Sequence, residues 1–124
     1  MPQKYTILVT DSEPLLGLAI EQALVGAPYE VVRAGNGAEV LLRAHTCQPD
    51  LIVLRLEMPV LDGIKTLGLL REDPVTREIP VVMVDDAVED STVARALGAG
   101  AAFYLTKPLE LEEVRAIIGR LLSI

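Results

Sequence analysis

Cysteine occurs once in the 124 residues, at Cys47, and histidine once, at His45. The single thiol excludes an intramolecular disulfide and any zinc site built from several cysteines, and the single imidazole has no companion of its own type with which to hold a metal. Both are read as packing or surface residues of one helix. Positive charge is also scarce. Eleven Lys and Arg stand against eighteen Asp and Glu, for a net charge of -7, and such a surface repels the phosphates of nucleic acids and of anionic membranes. Neither is expected as a partner. Long hydrophobic runs are missing too, although apolar residues make up 51% of the chain. The runs are strand-sized and broken by Asp, Arg, Gly or Pro, far short of the roughly 20 residues of a membrane helix. Met1-Pro2-Gln3-Lys4 leads straight into Tyr5-Thr6-Ile7-Leu8-Val9 without a charged-then-apolar leader, so the expected setting is cytoplasmic. No linker, repeat or low-complexity stretch divides the sequence, and its length matches one domain spanning residues 1–124.

What is present is an alternation of two periods. Apolar strand-like runs at Tyr5 to Thr10, Glu30 to Arg33, Leu51 to Leu54, Val81 to Val84 and Ala102 to Leu105 are separated by helical stretches. This order reads as repeated βα units and hence an α/β fold with a parallel sheet. Ile7-Leu8-Val9, Leu51-Ile52-Val53-Leu54 and Val81-Val82-Met83-Val84 are apolar throughout, as expected of central strands covered on both faces. The first helix opens at Pro14, carries Leu15, Leu16, Ala19, Ile20, Ala23 and Leu24 at helical spacing, and stops at Gly26 and Pro28. Gly37 to Cys47 supplies a second, closed by Pro49. Ile64, Leu67 and Leu70 mark a third after Asp62-Gly63; Val93, Ala94 and Leu97 mark a fourth before Gly98-Ala99-Gly100. Leu111, Val114, Ile117, Ile118, Leu121 and Leu122 form the stripe of an amphipathic fifth helix.

In open α/β sheets ligands bind beyond the carboxyl ends of the strands. Four of the apolar runs end on charge: Val9-Thr10 on Asp11, Leu54 on Arg55, Val84 on Asp85 and Leu105-Thr106 on Lys107. Ser12, Glu13, Glu57 and Asp86 are close by in sequence. Two acids and two bases thus converge at one edge of the sheet.

The same stretches resemble the receiver domain of two-component response regulators. Ile7-Leu8-Val9-Thr10-Asp11-Ser12-Glu13-Pro14 is similar to that family's first strand and acidic loop. Pro49-Asp50-Leu51-Ile52-Val53-Leu54, followed by Met58-Pro59-Val60-Leu61-Asp62-Gly63, resembles its third strand and loop. Ile79-Pro80-Val81-Val82-Met83-Val84 resembles the fourth strand, and Gly98-Ala99 with Tyr104-Leu105-Thr106-Lys107-Pro108 the fifth. The resemblance covers nearly the whole chain. It implies a flavodoxin-like, doubly wound five-stranded sheet in the order 2-1-3-4-5 with five helices, and a role in phosphorelay signalling rather than as an enzyme.

In that family an aspartate three positions before the Met-Pro accepts a phosphoryl group. Two acids after the first strand help hold Mg²⁺, a Thr or Ser ending the fourth strand binds the phosphate, and the Lys of Lys-Pro neutralises it. Asp11 and Lys107 match this scheme. Arg55 stands at the acceptor position, Ser12 at the second acid and Asp85 at the hydroxyl. A guanidinium is neither nucleophile nor metal ligand, so the expectation is a pseudo-receiver with no catalytic residue, no cofactor and at most very weak Mg²⁺ binding. It would act by binding protein partners. The sheet order places Arg55 between Asp11 and Asp85, with an ion cluster expected and Glu57 as an outside partner. Tyr104 corresponds to the family's switching aromatic, and the Lys107-Pro108 bond is expected to be cis. Relatives dimerise or bind targets through the fourth helix, fifth strand and fifth helix, where Arg95, Glu110, Glu113 and Arg115 fall; a homodimer through that face is one form the partner can take. Two alternatives stand beside this reading. One is phosphorylation at Asp11, Asp85 or Ser12; the other is a small flavodoxin-like phosphohydrolase, against which count the absent Gly-rich phosphate loop and paired catalytic His or Cys.

Overall fold

A computed structural model describes residues 4–11, 13–86 and 89–124; Ser12, one of the candidate pocket residues, lies outside the described residues. Strands and helices alternate as expected: β1 (Tyr5–Val9), α1 (Pro14–Ala23), β2 (Tyr29–Arg33), α2 (Gly37–Cys47), β3 (Leu51–Arg55), α3 (Gly63–Glu72), β4 (Val81–Asp85), α4 (Asp90–Gly98), β5 (Phe103–Thr106) and α5 (Leu111–Leu121). The five strands form one parallel sheet in the order β2-β1-β3-β4-β5. The three runs without alternation are its middle strands, and β2 is a half-exposed edge. The main departure from the sequence reading is at strand ends, where Arg55 and Asp85 are the last residues of β3 and β4 rather than the first beyond them.

Side chains that alternate along the strands feed two separate cores. Ile7, Val9, Leu51, Val53, Val82, Val84 and Leu105 pack with Leu16 and Ile20 of α1 and with Val114 and Ile118 of α5. Leu8, Ile52, Leu54, Val81 and Met83 face the other way, onto Val40 and Ala44 of α2, Leu67 and Leu70 of α3, and Ala96 of α4. Two of the helices, α2 and α3, begin at side-chain caps. Asn36 accepts from Glu39 N at 2.9 Å and Asp62 from Lys65 N at 2.8 Å, each satisfying a free amide of the first turn. Gly63, directly after the Asp62 cap, has to be glycine: a Cβ there would stand 2.5 Å from the Arg55 carbonyl oxygen. That close approach holds the start of α3 against the end of β3. No helix is long and apolar enough to cross a membrane among the described residues.

Candidate functional site

The carboxyl ends of β1, β3, β4 and β5 are tied by backbone bonds before any charge comes into play. Thr10 N donates to Val53 O at 3.1 Å, Leu56 N to Val84 O at 2.9 Å and Lys107 N to Asp85 O at 2.9 Å. Thr10 adds a side-chain tie, its hydroxyl oxygen accepting from Arg55 N at 2.7 Å. Nothing in the apolar patterning pointed to this role for Thr10. The next residue, Asp11, accepts from Glu13 N at 2.8 Å, the local turn that short acidic side chains make with backbone two residues on. Asp11 is thereby held at 2% exposure.

Lys107 is the principal partner of Asp11, with Nζ donating to Oδ1 at 3.1 Å and lying 2.9 Å from Oδ2. Oδ2 itself accepts no hydrogen bond among the described residues; the ammonium sits beside it, out of line. The Arg55 guanidinium approaches the same oxygen from β3, Nε to Oδ2 at 3.9 Å, while its Nη2 lies 3.5 Å from Oδ2 of Asp86. Asp86 in turn is 3.9 Å from Lys107 Nζ. Two cations and two anions form a closed quartet. Its inner pair is sheltered and its outer pair is wet, with the Arg55 and Asp86 side chains 40% and 63% exposed. The Lys107-Pro108 bond is cis, as expected.

The expected pairing of Arg55 with Asp85 is corrected. Asp85 Oδ1 accepts from Asp86 N at 2.7 Å and Oδ2 from the Tyr104 hydroxyl at 2.5 Å, and no ion pair joins Asp85 to Arg55 among the described residues. Strand parity is the reason. Arg55 pairs in register with Val84, whose side chain points to the α1/α5 core, whereas Asp85 follows Met83 and points to the α2/α3/α4 side. Adjacent strands brought the two residues near one another, but their pleat turns them to opposite faces. Asp86 has the parity of Val84 and takes the place expected of Asp85. The Asp85-Asp86 doublet was the available signal. Glu57 is not an ion partner of Arg55 either; it lines, with Leu56, Asp85, Glu89 and Thr92, a groove of about 180 Å³.

Burial pushes the Tyr104 phenol well above its ordinary range, and the Asp85 carboxylate it faces pushes it further. Tyr104 is half-buried against the α2/α3/α4 core. On the neighbouring surface, Arg115 is engaged with Glu112 one turn earlier, while Arg95, Glu110 and Glu113 are exposed. No group of three or more His, Cys, Asp or Glu among the described residues is arranged to hold a metal ion.

A five-stranded parallel sheet in this order is the flavodoxin-like arrangement that receiver domains share, with charge here concentrated at the carboxyl ends of its inner strands. The chain matches the response regulator receiver domain family over residues 7–119 and belongs to it. It is 34% identical over 122 residues to the probable transcriptional regulatory protein TcrX of Mycobacterium tuberculosis, covering 95% of this chain and 51% of that protein. To the nitrate/nitrite response regulator protein NarL of Escherichia coli it is 39% identical over 111 residues, or 88% of this chain and 50% of the relative. The chain thus spans about half the length of these curated relatives. Among solved structures it is similar to a putative response regulator from Chloroflexus aurantiacus, with a TM-score of 0.82, 30% identity and coverage of 98% of this chain and 100% of that one. The signal receiver domain of a DNA binding response regulator from Colwellia psychrerythraea superposes with a TM-score of 0.83 at 26% identity, covering 97% and 99% of the two chains.

Proposed function

We propose that this receiver domain signals by binding protein partners without accepting a phosphoryl group at the end of β3. The observation that carries the reading is the Arg55 guanidinium at that position, poised between Asp11 and Asp86. A permanently charged guanidinium cannot attack phosphorus. The donor set also does not fit the Mg²⁺ that family membership implies. The Asp11 carboxylate has one ammonium at 2.9 Å and a guanidinium at 3.9 Å, so a divalent cation would have to displace like charge to reach it. In place of the family's phosphate-binding hydroxyl, Asp85 offers a carboxylate already committed to Tyr104.

The partner-binding surface of this reading is the face formed by α4, β5 and α5, where Tyr104 is pinned from beneath by Asp85. A face held in one arrangement by an internal anion has no need of a phosphoryl signal to set it. The test is treatment with acetyl phosphate and Mg²⁺ followed by intact-mass measurement, alongside Mg²⁺ calorimetry. The expected outcome is unchanged mass and no binding heat. One added phosphate mapped to Asp11, Asp85 or Ser12 would instead favour phosphorylation at a non-standard residue.

A further inference from the structure

Helix α3 carries an open groove of about 330 Å³, lined by Leu61, Lys65, Gly68, Leu69 and Glu72, on the side of the helix away from the core. At 100° per residue, positions 65, 68, 69 and 72 fall within an arc of about 100° and so make one continuous stripe. Its centre is apolar and small. Leu69 is 41% exposed, and a Cβ added at Gly68 would meet nothing within 4 Å, leaving a notch beside the leucine. Its ends are charged with opposite sign, and neither Lys65 nor Glu72 joins an ion pair among the described residues.

We infer that this stripe is a self-complementary surface through which two copies of the chain associate, α3 against α3 in antiparallel fashion. A two-fold axis passing between positions 68 and 69 sets Lys65 opposite the partner's Glu72, and Glu72 opposite the partner's Lys65. The same operation drops each Leu69 over the notch at the partner's Gly68. Residues that satisfy one another pairwise under one rotation are what an isologous interface requires. A heterologous partner would have no reason to match a cation at one end with an anion at the other in this symmetric spacing. The surface lies on α3, apart from the α4-β5-α5 face, and the inference does not depend on whether the domain takes up phosphate. One helical stripe per copy falls short of the roughly 1,000 Å² of a permanent interface, and the net charge of -7 on each copy opposes approach. The association is therefore weak and visible only at high protein concentration.

Sedimentation equilibrium over a concentration series up to about 1 mM, near physiological salt where exposed pairs are only partly screened, reads the outcome. The wild-type chain is expected to dimerise, with Lys65→Glu and Glu72→Lys each weakening association about tenfold or more, because each variant sets like charges opposite one another. The double variant Lys65→Glu/Glu72→Lys exchanges the ends and is expected to restore association to near the wild-type value. Gly68→Gln, a good helix former that fills the notch, is expected to abolish it while leaving the thermal midpoint unreduced. A wild-type chain that stays monomeric throughout, a dimer indifferent to these changes, or a double variant that fails to recover would each overturn the proposal.

Discussion

The Tyr104 hydroxyl donates to Asp85 Oδ2 at 2.5 Å, joining the last residue of β4 to the second residue of β5. Burial and then the adjacent carboxylate both disfavour the phenolate, so the folded-state pKa lies above the ordinary 10.0. A raised pKa contributes stability that is fully present below the unfolded value and is lost as pH climbs from about 10 toward the folded value. Ultraviolet titration of phenolate absorbance is expected to show a late tyrosine step that vanishes in Tyr104→Phe. In Asp85→Asn that step should move down without reaching the ordinary value, since burial remains. An Asp85→Asn titration identical to wild type would show that the carboxylate does not hold the ring.

The quartet at the sheet edge divides into unequal halves. Removing Lys107 takes away the nearest cation of the Asp11 carboxylate, whose side chain is 1% exposed, and leaves it only the Arg55 guanidinium at 3.9 Å; breaking a buried pair costs up to about 3 to 5 kcal/mol. Arg55 and Asp86 meet at 3.5 Å with much of both side chains in water, a geometry worth about 0 to 1 kcal/mol. Urea unfolding of Lys107→Ala should therefore show a far larger loss than Arg55→Ala. The double-mutant cycle of Arg55→Ala with Asp86→Ala should give a coupling below about 1 kcal/mol. A large Arg55–Asp86 coupling, or a mild Lys107→Ala, would reverse the assignment of which cation locks the site.

Much of this architecture was legible beforehand because helix and strand periods are written in the apolar residues themselves. The unbroken runs at residues 7–9, 51–54 and 81–84 read as strands covered on both faces, and they are the middle of the sheet. The convergence of Asp11, Arg55 and Lys107 followed from apolar runs that end on charge at the carboxyl ends of parallel strands, and the cis Lys107-Pro108 bond from the resemblance. The wrong partner for Arg55 came from reasoning on strand adjacency alone. Parallel register pairs Arg55 with Val84, and that offset of one residue, invisible without the pairing, decides which acid of the Asp85-Asp86 doublet shares its face. Thr10 was missed for a different reason, because its contribution is a side-chain bond to a backbone amide 45 residues away.

Arg71 binds three carbonyls from three directions. Nη1 donates to Arg77 O at 3.0 Å and Ile79 O at 2.8 Å, and Nη2 to Gly100 O at 3.0 Å, tying α3 to the segment before β4 and the turn before β5. An ammonium is a point donor and cannot span these acceptors, so Arg71→Lys is expected to cost about 1.5 to 3 kcal/mol in urea unfolding. Gly100 sits at φ +111, with a would-be Cβ 2.8 Å from Arg71 Nε. Gly100→Ala should cost more than about 1 kcal/mol. Because both changes disturb one contact, their combination should fall short of the sum; strict additivity would mean the guanidinium is not the common element.

Restoring a carboxylate at the end of β3 tests the charge logic of the site most directly. Arg55→Asp removes the cation that lies within 4 Å of Asp11 and Asp86 and adds an anion beside those two carboxylates, leaving Lys107 alone to neutralise them. Like charges at such spacings repel, so the variant is expected to be less stable than wild type in chelator. Clustered carboxylate oxygens are also what Mg²⁺ requires, and a cation that binds only the folded state stabilises it by about 1.4 kcal/mol at ten times its dissociation constant. The thermal midpoint of Arg55→Asp should thus rise by several degrees on adding Mg²⁺, while that of the wild-type chain stays put. Uptake of phosphate from acetyl phosphate should remain poor in this variant, because Asp85 still presents a negative charge where the family has a hydroxyl; Arg55→Asp combined with Ser12→Asp and Asp85→Thr should gain it. A wild-type midpoint that climbs with Mg²⁺ as steeply as the variant's would show that Arg55 does not exclude the metal, and the phosphorylation-independent reading would lose its electrostatic basis.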